Sequence, residues 1–190
     1  MVTELILASG SPRRRELLEK LGVSFRVRVS DVNEDIAEPD PACFVETLAR
    51  AKAGAIAALE PGASVIAADT TVALEGRILN KPVDVQQNAE FIADLSGRWH
   101  EVYTGICVVH AGQIVSAVEL TRELSEHEIR GYAASGEGLD KAGGYGIQEL
   151  GMALVERIEG DFFNVMGLPV VRLIALARSV SLELLPWTRG

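Results

Sequence analysis

The stretch from Glu4 to Gly22 constrains the fold more than any other part of the chain. A short apolar run, Leu5-Ile-Leu-Ala8, gives way to Ser9-Gly10-Ser11-Pro12, after which Leu17, Leu18 and Leu21 recur at helical spacing until Gly22. The apolar run predicts a buried strand. Ser11 as N-cap, Pro12 at the first helical position and Gly22 just past the end punctuate the helix. Phe25, Val27 and Val29 then alternate with Arg26, Arg28 and Ser30, which predicts a half-solvated strand with a basic exposed face.

Strands and helices continue to mix downstream. Asp40-Pro41 opens a helix to about Leu59, with Phe44, Val45, Leu48 and Ala51 on one stripe. Ser64 to Ala68 reads as a short apolar strand, Thr71–Leu74 and Arg77–Leu79 as a hairpin around Glu75-Gly76, and Asp84 as the cap of a helix to about Leu95. The longest uncharged stretch, Val102 to Val118, is divided by Ala111-Gly112-Gln113 into two β-branched runs and so reads as a hairpin, not a membrane span. Ser125-Glu-His-Glu128 is a capping box for a helix to about Ala134. A glycine-rich loop from Gly136 to Gly146, a strand from Ala153 to Ile158 and a helix from Leu168 to Ala177 complete the order. Hairpins among βα units predict an α/β fold with a mixed twisted sheet flanked by helices. At 190 residues the chain reads as one domain, 1–190, with room for two lobes about a cleft.

Charge narrows the function. Eighteen basic against 27 acidic residues leave a net −9, which excludes a general nucleic-acid or anionic-membrane binder, yet residues 1–30 hold six basic and only three acidic side chains. Cys43 and Cys107 have no metal-ligand spacing, and Glu4 sits where a signal peptide needs positive charge, so a reduced, cytoplasmic chain is expected. His100, His110 and His127 lack ligand spacing and read as structural or solvated.

Three features carry chemistry. Arg13, Arg14 and Arg15 fall in the first turn of a helix, against its dipole. A polyphosphate bound by backbone N–H groups and guanidinium groups would compensate; pairing with Glu16 and Glu19 is the other reading. Asp69 follows the strand Ser64–Ala68 at its expected carboxyl end, where α/β sheets place ligands, although an Asp merely capping the strand fits as well. Lys81 can return an ammonium to that edge or stand solvated, and Lys52, between Ala51 and Ala53, can approach a site or snorkel. The glycines of residues 136–146 allow close backbone approach to a base or phosphate, with Gln148 able to donate and accept at a base edge, unless the segment is simply a flexible loop.

Taken together, Leu5-Ile-Leu-Ala-Ser-Gly-Ser-Pro-Arg-Arg-Arg-Glu-Leu-Leu18, Ala68-Asp-Thr-Thr-Val72, Asn80-Lys-Pro82, Leu95-Ser-Gly97 with His100-Glu-Val-Tyr-Thr-Gly105, Leu139-Asp-Lys-Ala-Gly-Gly-Tyr-Gly-Ile-Gln148 and Gly160-Asp-Phe-Phe-Asn-Val-Met-Gly-Leu-Pro169 closely resemble the Maf family of nucleoside triphosphate pyrophosphatases. The resemblance spans residues 3–178. It implies a fold like that of the inosine triphosphate pyrophosphatases and metal-dependent cleavage, with Mg²⁺ or Mn²⁺, of a nucleoside triphosphate to the monophosphate and pyrophosphate. Ala142-Gly-Gly-Tyr-Gly-Ile-Gln148 is similar to the branch acting on dTTP and UTP; 7-methyl-GTP cleavage and a non-catalytic nucleotide-binding regulator of cell division are the alternatives. By the same resemblance the specificity positions fall on Arg13, Thr70 and Gln148, the proton acceptor on Asp69, metal ligation on Glu34 and Asp69, and the remaining polar site positions on Ser9, Arg14, Lys52 and Lys81. Thr71 and Asn80 depart from the family pattern, where Val and Gly are common. A homodimer is the family-based expectation for assembly; neither a stable nucleic-acid complex nor membrane association is expected.

Overall fold

A computed structural model describes residues 4–125, 129–148, 151 and 155–186. Its strands are β1 (Leu5–Leu7), β2 (Arg26–Val27), β3 (Ser64–Leu74), β4 (Arg77–Leu79), β5 (Trp99–His110), β6 (Gln113–Ser125) and β7 (Val155–Glu159). Its helices are α1 (Pro12–Lys20), α2 (Pro41–Leu59), α3 (Val85–Leu95), α4 (Ile129–Ser135), α5 (Phe162–Val165) and α6 (Val170–Ser179). The strands form one mixed sheet in the order β2-β1-β3-β5-β6-β7, with β4 paired to β3. β1 runs parallel to β2 and β3, and the remaining pairs are antiparallel.

Period-two alternation along the central strands decides which helix each face meets. Leu5, Leu7, Ile66, Ala68, Ile106 and Val108 share a core with Leu17 and Leu18 of α1 and Leu173 and Ala177 of α6. The intervening Ile6, Ala8, Val65, Ala67, Cys107 and Val109 pack on Ala49, Ala53 and Ile56 of α2. The side chains of Ile6, Leu7, Ile66 and Ile106 are fully enclosed, each contributing about 1.5–3 kcal/mol by leaving water. Further along, the distal half of β3 and the first half of β5 put Val72, Leu74 and Val102 against Ile92 and Leu95 of α3 and Tyr132 of α4.

Hairpin turns form as their residues dictate: Glu75-Gly76 and Ala111-Gly112 have both residues at positive φ (52° and 81°, 49° and 78°), the conformation two-residue turns need. Asp40 and Asp84 cap α2 and α3 by accepting from Cys43 N and Gln87 N.

Several expectations need correction. β3 is one continuous strand through Asp69, because β5 pairs with it residue for residue from Val65 to Ala73, so Asp69 is mid-strand. β1, however, stops at Leu7 opposite Ile66, so Asp69 still lies beyond the carboxyl end of its parallel neighbour. Ser11 occupies the N-cap position but its side chain makes no capping bond; its N–H donates to Ser9 Oγ at 3.2 Å instead. The basic face predicted after Phe25 is inverted: Val27 and Val29 are exposed, while Arg26 and Arg28 turn to Glu60, and Arg26 also to Glu4. On α2 the buried stripe passes through Ala49, Lys52 and Ala53 and leaves Ala51 outside. The final helix begins at Val170 after the separate turn α5. The segment after Gly136 is two 3₁₀ turns, Glu137–Asp140 and Ala142–Gly144, not an open loop. Residues 126–128 of the expected capping box, including His127, and Ala153 of the last strand lie outside the described residues.

Cys43 is exposed and Cys107 buried, and burial pushes the Cys107 thiol up to about 11. One thiol per chain is therefore expected to react rapidly with a disulfide reagent in the native state and two in denaturant; Cys43→Ser should abolish the native reaction.

Candidate active site

Strand parity builds the site. Asp69 continues the α2-facing series of Val65 and Ala67, and Thr70 continues the opposite series of Ile66 and Ala68. Asp69 therefore meets α2, where Lys52 Nζ lies 2.5 Å from Asp69 Oδ1 and 2.8 Å from Glu34 Oε1. Lys52 and Asp69 are each only 8% exposed. A single ammonium thus bridges two carboxylates from different segments, and Lys52 does not snorkel.

α2 can come this close because residue 105, opposite Asp69 on β5, is a glycine. A Cβ there would sit 2.5 Å from the Val45 carbonyl carbon and 2.8 Å from Glu46 N.

On the other face Thr70 meets α1. Arg14 donates from Nε to Gly167 O at 2.7 Å, from Nη1 to Ser9 Oγ at 3.0 Å and from Nη2 to Thr70 Oγ1 at 3.0 Å. Thr104 Oγ1 supports Thr70 at 2.9 Å and lies 2.9 Å from Asn164 O. All three anchors of the guanidinium are neutral, so its charge is not cancelled by a bonded carboxylate. Burial pulls the Arg14 pKa down, while the charges of Asp69 and Glu34 oppose that. The arginine triplet divides: Arg15 pairs with Glu19, and Lys20 with Glu16, as surface i,i+4 pairs worth a few tenths of a kcal/mol, whereas Arg13 and Arg14 face inward.

A cavity of about 390 Å³ lies between these groups, lined by Ser9, Arg13, Arg14, Glu34, Lys52, Asp69, Thr70 and Lys81 together with the β1–α1 loop. Burial works to raise the Glu34 carboxyl, but Lys52, then Lys81 and Arg14, outweigh it and hold it below its ordinary value. Eight of the nine residues expected at the site are thereby brought together. Gln148 follows the lining residues Gly146 and Ile147 but is not itself part of the lining.

Sequence reasoning passed over Lys141, Asp140 and Tyr145, which close the cavity from the glycine-rich segment. Their signal was the glycines beside them: Gly138 and Gly144 pack on Asn88 of α3, and Gly143 on Val72. Asn88 Nδ2 donates to Gly144 O at 2.5 Å, Tyr132 Oη accepts from Gly146 N at 3.1 Å, and Tyr145 Oη bonds the buried His100 ring. These tethers fix the wall.

Glu34 and Asp69 offer hard carboxylate oxygens, a donor set that suits Mg²⁺ shared with substrate phosphates. Among the described residues no group of three or more His, Cys, Asp and Glu side chains could hold a metal alone. A substrate-bridged ion fits; an all-protein cage does not. No helix among the described residues is long and apolar enough to cross a membrane.

The family model described as "Maf-like protein" matches residues 4–180. A Deinococcus radiodurans protein named dTTP/UTP pyrophosphatase is 53% identical over 183 residues, covering 94% of each chain. Proteins of the same name from Thermus thermophilus and Pyrococcus furiosus are 48% and 47% identical, covering 98% and 91% of this chain and 95% and 93% of their own. Among solved structures, the Staphylococcus aureus Ham1 protein aligns with a TM-score of 0.50 at 16% identity over 80% of each chain, a likeness of fold.

Proposed function

The chain belongs to the Maf-like protein family, and from that premise we propose that it hydrolyses dTTP and UTP, with modified pyrimidine nucleotides as further substrates, to the monophosphate and pyrophosphate. It is an enzyme, a hydrolase of phosphoric anhydride bonds. The observation that carries the reading is the facing of two unlike walls across one cavity: a carboxylate pair bridged by Lys52, and a guanidinium held only by neutral groups. Two separate apolar clusters on either side of that cavity support a single domain of two lobes over residues 1–190.

The triphosphate lies along the cationic wall, where Arg14 and Arg13 take non-bridging oxygens and Lys81 balances the leaving pyrophosphate. Lys52 fixes Asp69 through Oδ1; Oδ2 has no hydrogen-bond partner among the described residues and takes the proton from a water aligned on the α-phosphorus. Glu34 and Asp69 would hold a Mg²⁺ or Mn²⁺ ion, which when bound neutralises phosphate charge and acidifies water.

The test is pyrophosphate release across canonical and modified nucleotides, 7-methyl-GTP included, with Mg²⁺ and with Mn²⁺. dTTP and UTP should lead; a preference for 7-methyl-GTP, or no turnover of any nucleotide, overturns the reading. Gln148 is the proposed reader of the O4 and N3–H edge that thymine and uracil share. Gln148→Glu is expected to lower kcat/KM for both by about 10–100-fold without moving Tm, and an unchanged substrate profile removes Gln148 from that role.

A further inference from the structure

On the edge of β3 away from β5, β1 pairs only as far as Ile66 and β4 begins only at Val72. Ala67–Thr71 therefore face no strand on that edge among the described residues, and in this gap Asp69 and Thr70 meet the cavity. Lys81 enters the gap from the end of β4. Its side chain makes no hydrogen bond or ion pair among the described residues, yet it lines the cavity and its charge acts on Glu34. A long, exposed, unbonded side chain stays in place only as far as its backbone is held. Here the backbone is held from both sides. Pro82, itself buried, restricts Lys81 to extended conformations. On the other side the β3–β4 ladder ends at Val72 and Leu79, and the next pair in register, Thr71 and Asn80, continues it through side chains: Thr71 Oγ1 donates to Asn80 Oδ1 at 3.3 Å. Thr71 is completely buried and paired with Tyr103 of β5, whereas Asn80 is exposed. The rigid residue thus holds the free one, directly before Lys81. Thr71 and Asn80 are also the two departures from the family pattern, and Val and Gly at these positions would make no such bond.

We propose that Thr71 and Asn80 are positioning residues: their bond fixes the chain as it leaves β4 and so aims the Lys81 ammonium at the leaving pyrophosphate. This rests on the role given to Lys81 in the proposed function. Charge on the departing oxygen develops in the transition state and persists in the product. A well-placed ammonium there therefore raises kcat and the affinity for pyrophosphate more than the affinity for the triphosphate. The bond is long, so its removal costs a few-fold in rate and not the whole activity.

Steady-state kinetics with dTTP, calorimetry with inorganic pyrophosphate in Mg²⁺ and thermal unfolding, all on one set of variants, test the proposal. Lys81→Ala should lower kcat by about 100-fold. Thr71→Val keeps the buried shape and loses the hydroxyl; it should lower kcat by about 3–10-fold and weaken pyrophosphate binding by a similar factor, with KM and Tm unchanged. Thr71→Ser keeps the hydroxyl and loses a buried methyl group; it should lower Tm by about 2–6 °C and hold kcat within about twofold of wild type. Asn80→Ala should match Thr71→Val, and T71V/N80A should be no worse than either alone, because both changes remove the same bond. In a K81A background T71V should have no further effect. Wild-type kcat and pyrophosphate affinity in T71V overturn the proposal and leave the role of Lys81 standing. So does a T71V effect that persists in K81A, or a loss of kcat that follows Tm across T71V and T71S. Wild-type kcat in Lys81→Ala removes the role of Lys81 and the positioning pair with it. If no nucleotide is turned over, pyrophosphate calorimetry decides: a T71V loss of affinity that vanishes in K81A still supports the pair, and an unchanged affinity refutes it.

Discussion

Asp69→Asn is expected to reduce pyrophosphate release from dTTP by about 10²–10⁴-fold, the range that a positioned general base supplies. Nucleotide affinity, measured by calorimetry without turnover, should be unchanged or tighter. The amide keeps the volume of the carboxyl and still accepts from Lys52 Nζ, so α2 stays in place. It removes one negative charge from a cavity lined by Arg13, Arg14, Lys52, Lys81 and Lys141. Retained binding with lost chemistry also separates the enzyme from a nucleotide-binding regulator, for which Asp69 would be dispensable. Near wild-type turnover removes Asp69 as the base, and a loss of affinity equal to the loss in rate makes it a binding residue instead.

How much of this could be read in the residues varies with the range of the interaction. Helix punctuation and two-residue turns are local, so α1, α2, α3 and the hairpins appear where their caps and glycines put them. The length of β3 is not local. Asp69 and Thr70 read as a break between two short strands, Ser64–Ala68 and Thr71–Leu74, yet pairing with β5 runs without interruption from Val65 to Ala73 and joins them into one. Burial of Lys52 is likewise set from outside its own helix: its neighbours Ala51 and Ala53 allow either outcome, and the carboxylates of Asp69 and Glu34, 17 and 18 positions away, decide it. The inversion of Arg26 and Arg28 has the same origin, since Glu60 becomes their neighbour only after α2 has folded back onto the sheet. Gly105, too, reads in sequence only as part of a motif; what makes it necessary is the backbone of α2 lying against it.

Gly105→Ala is accordingly expected to cost about 2–4 kcal/mol and lower Tm by about 5–15 °C. The new methyl group meets backbone, the Val45 carbonyl and Glu46 N, and cannot be relieved by turning a flexible side chain. α2 must shift away from β5. The helix is one rigid element, so the displacement at Val45 is carried two turns along to Lys52, whose ammonium holds Asp69 Oδ1 and Glu34 Oε1. Loosening that contact lets Asp69 turn away from the attacking water. The fraction that remains folded at 20 °C should therefore show a kcat lowered by about tenfold or more, with KM for dTTP little changed, because Arg13, Arg14 and Thr70 stand on the opposite face of the sheet and do not depend on α2. Thermal unfolding followed by circular dichroism and steady-state kinetics on the same preparation separate the two effects. A variant with wild-type Tm shows that α2 accommodates the methyl group, and one that is destabilised but keeps its kcat breaks the link from the Gly105 contact through Lys52 to Asp69.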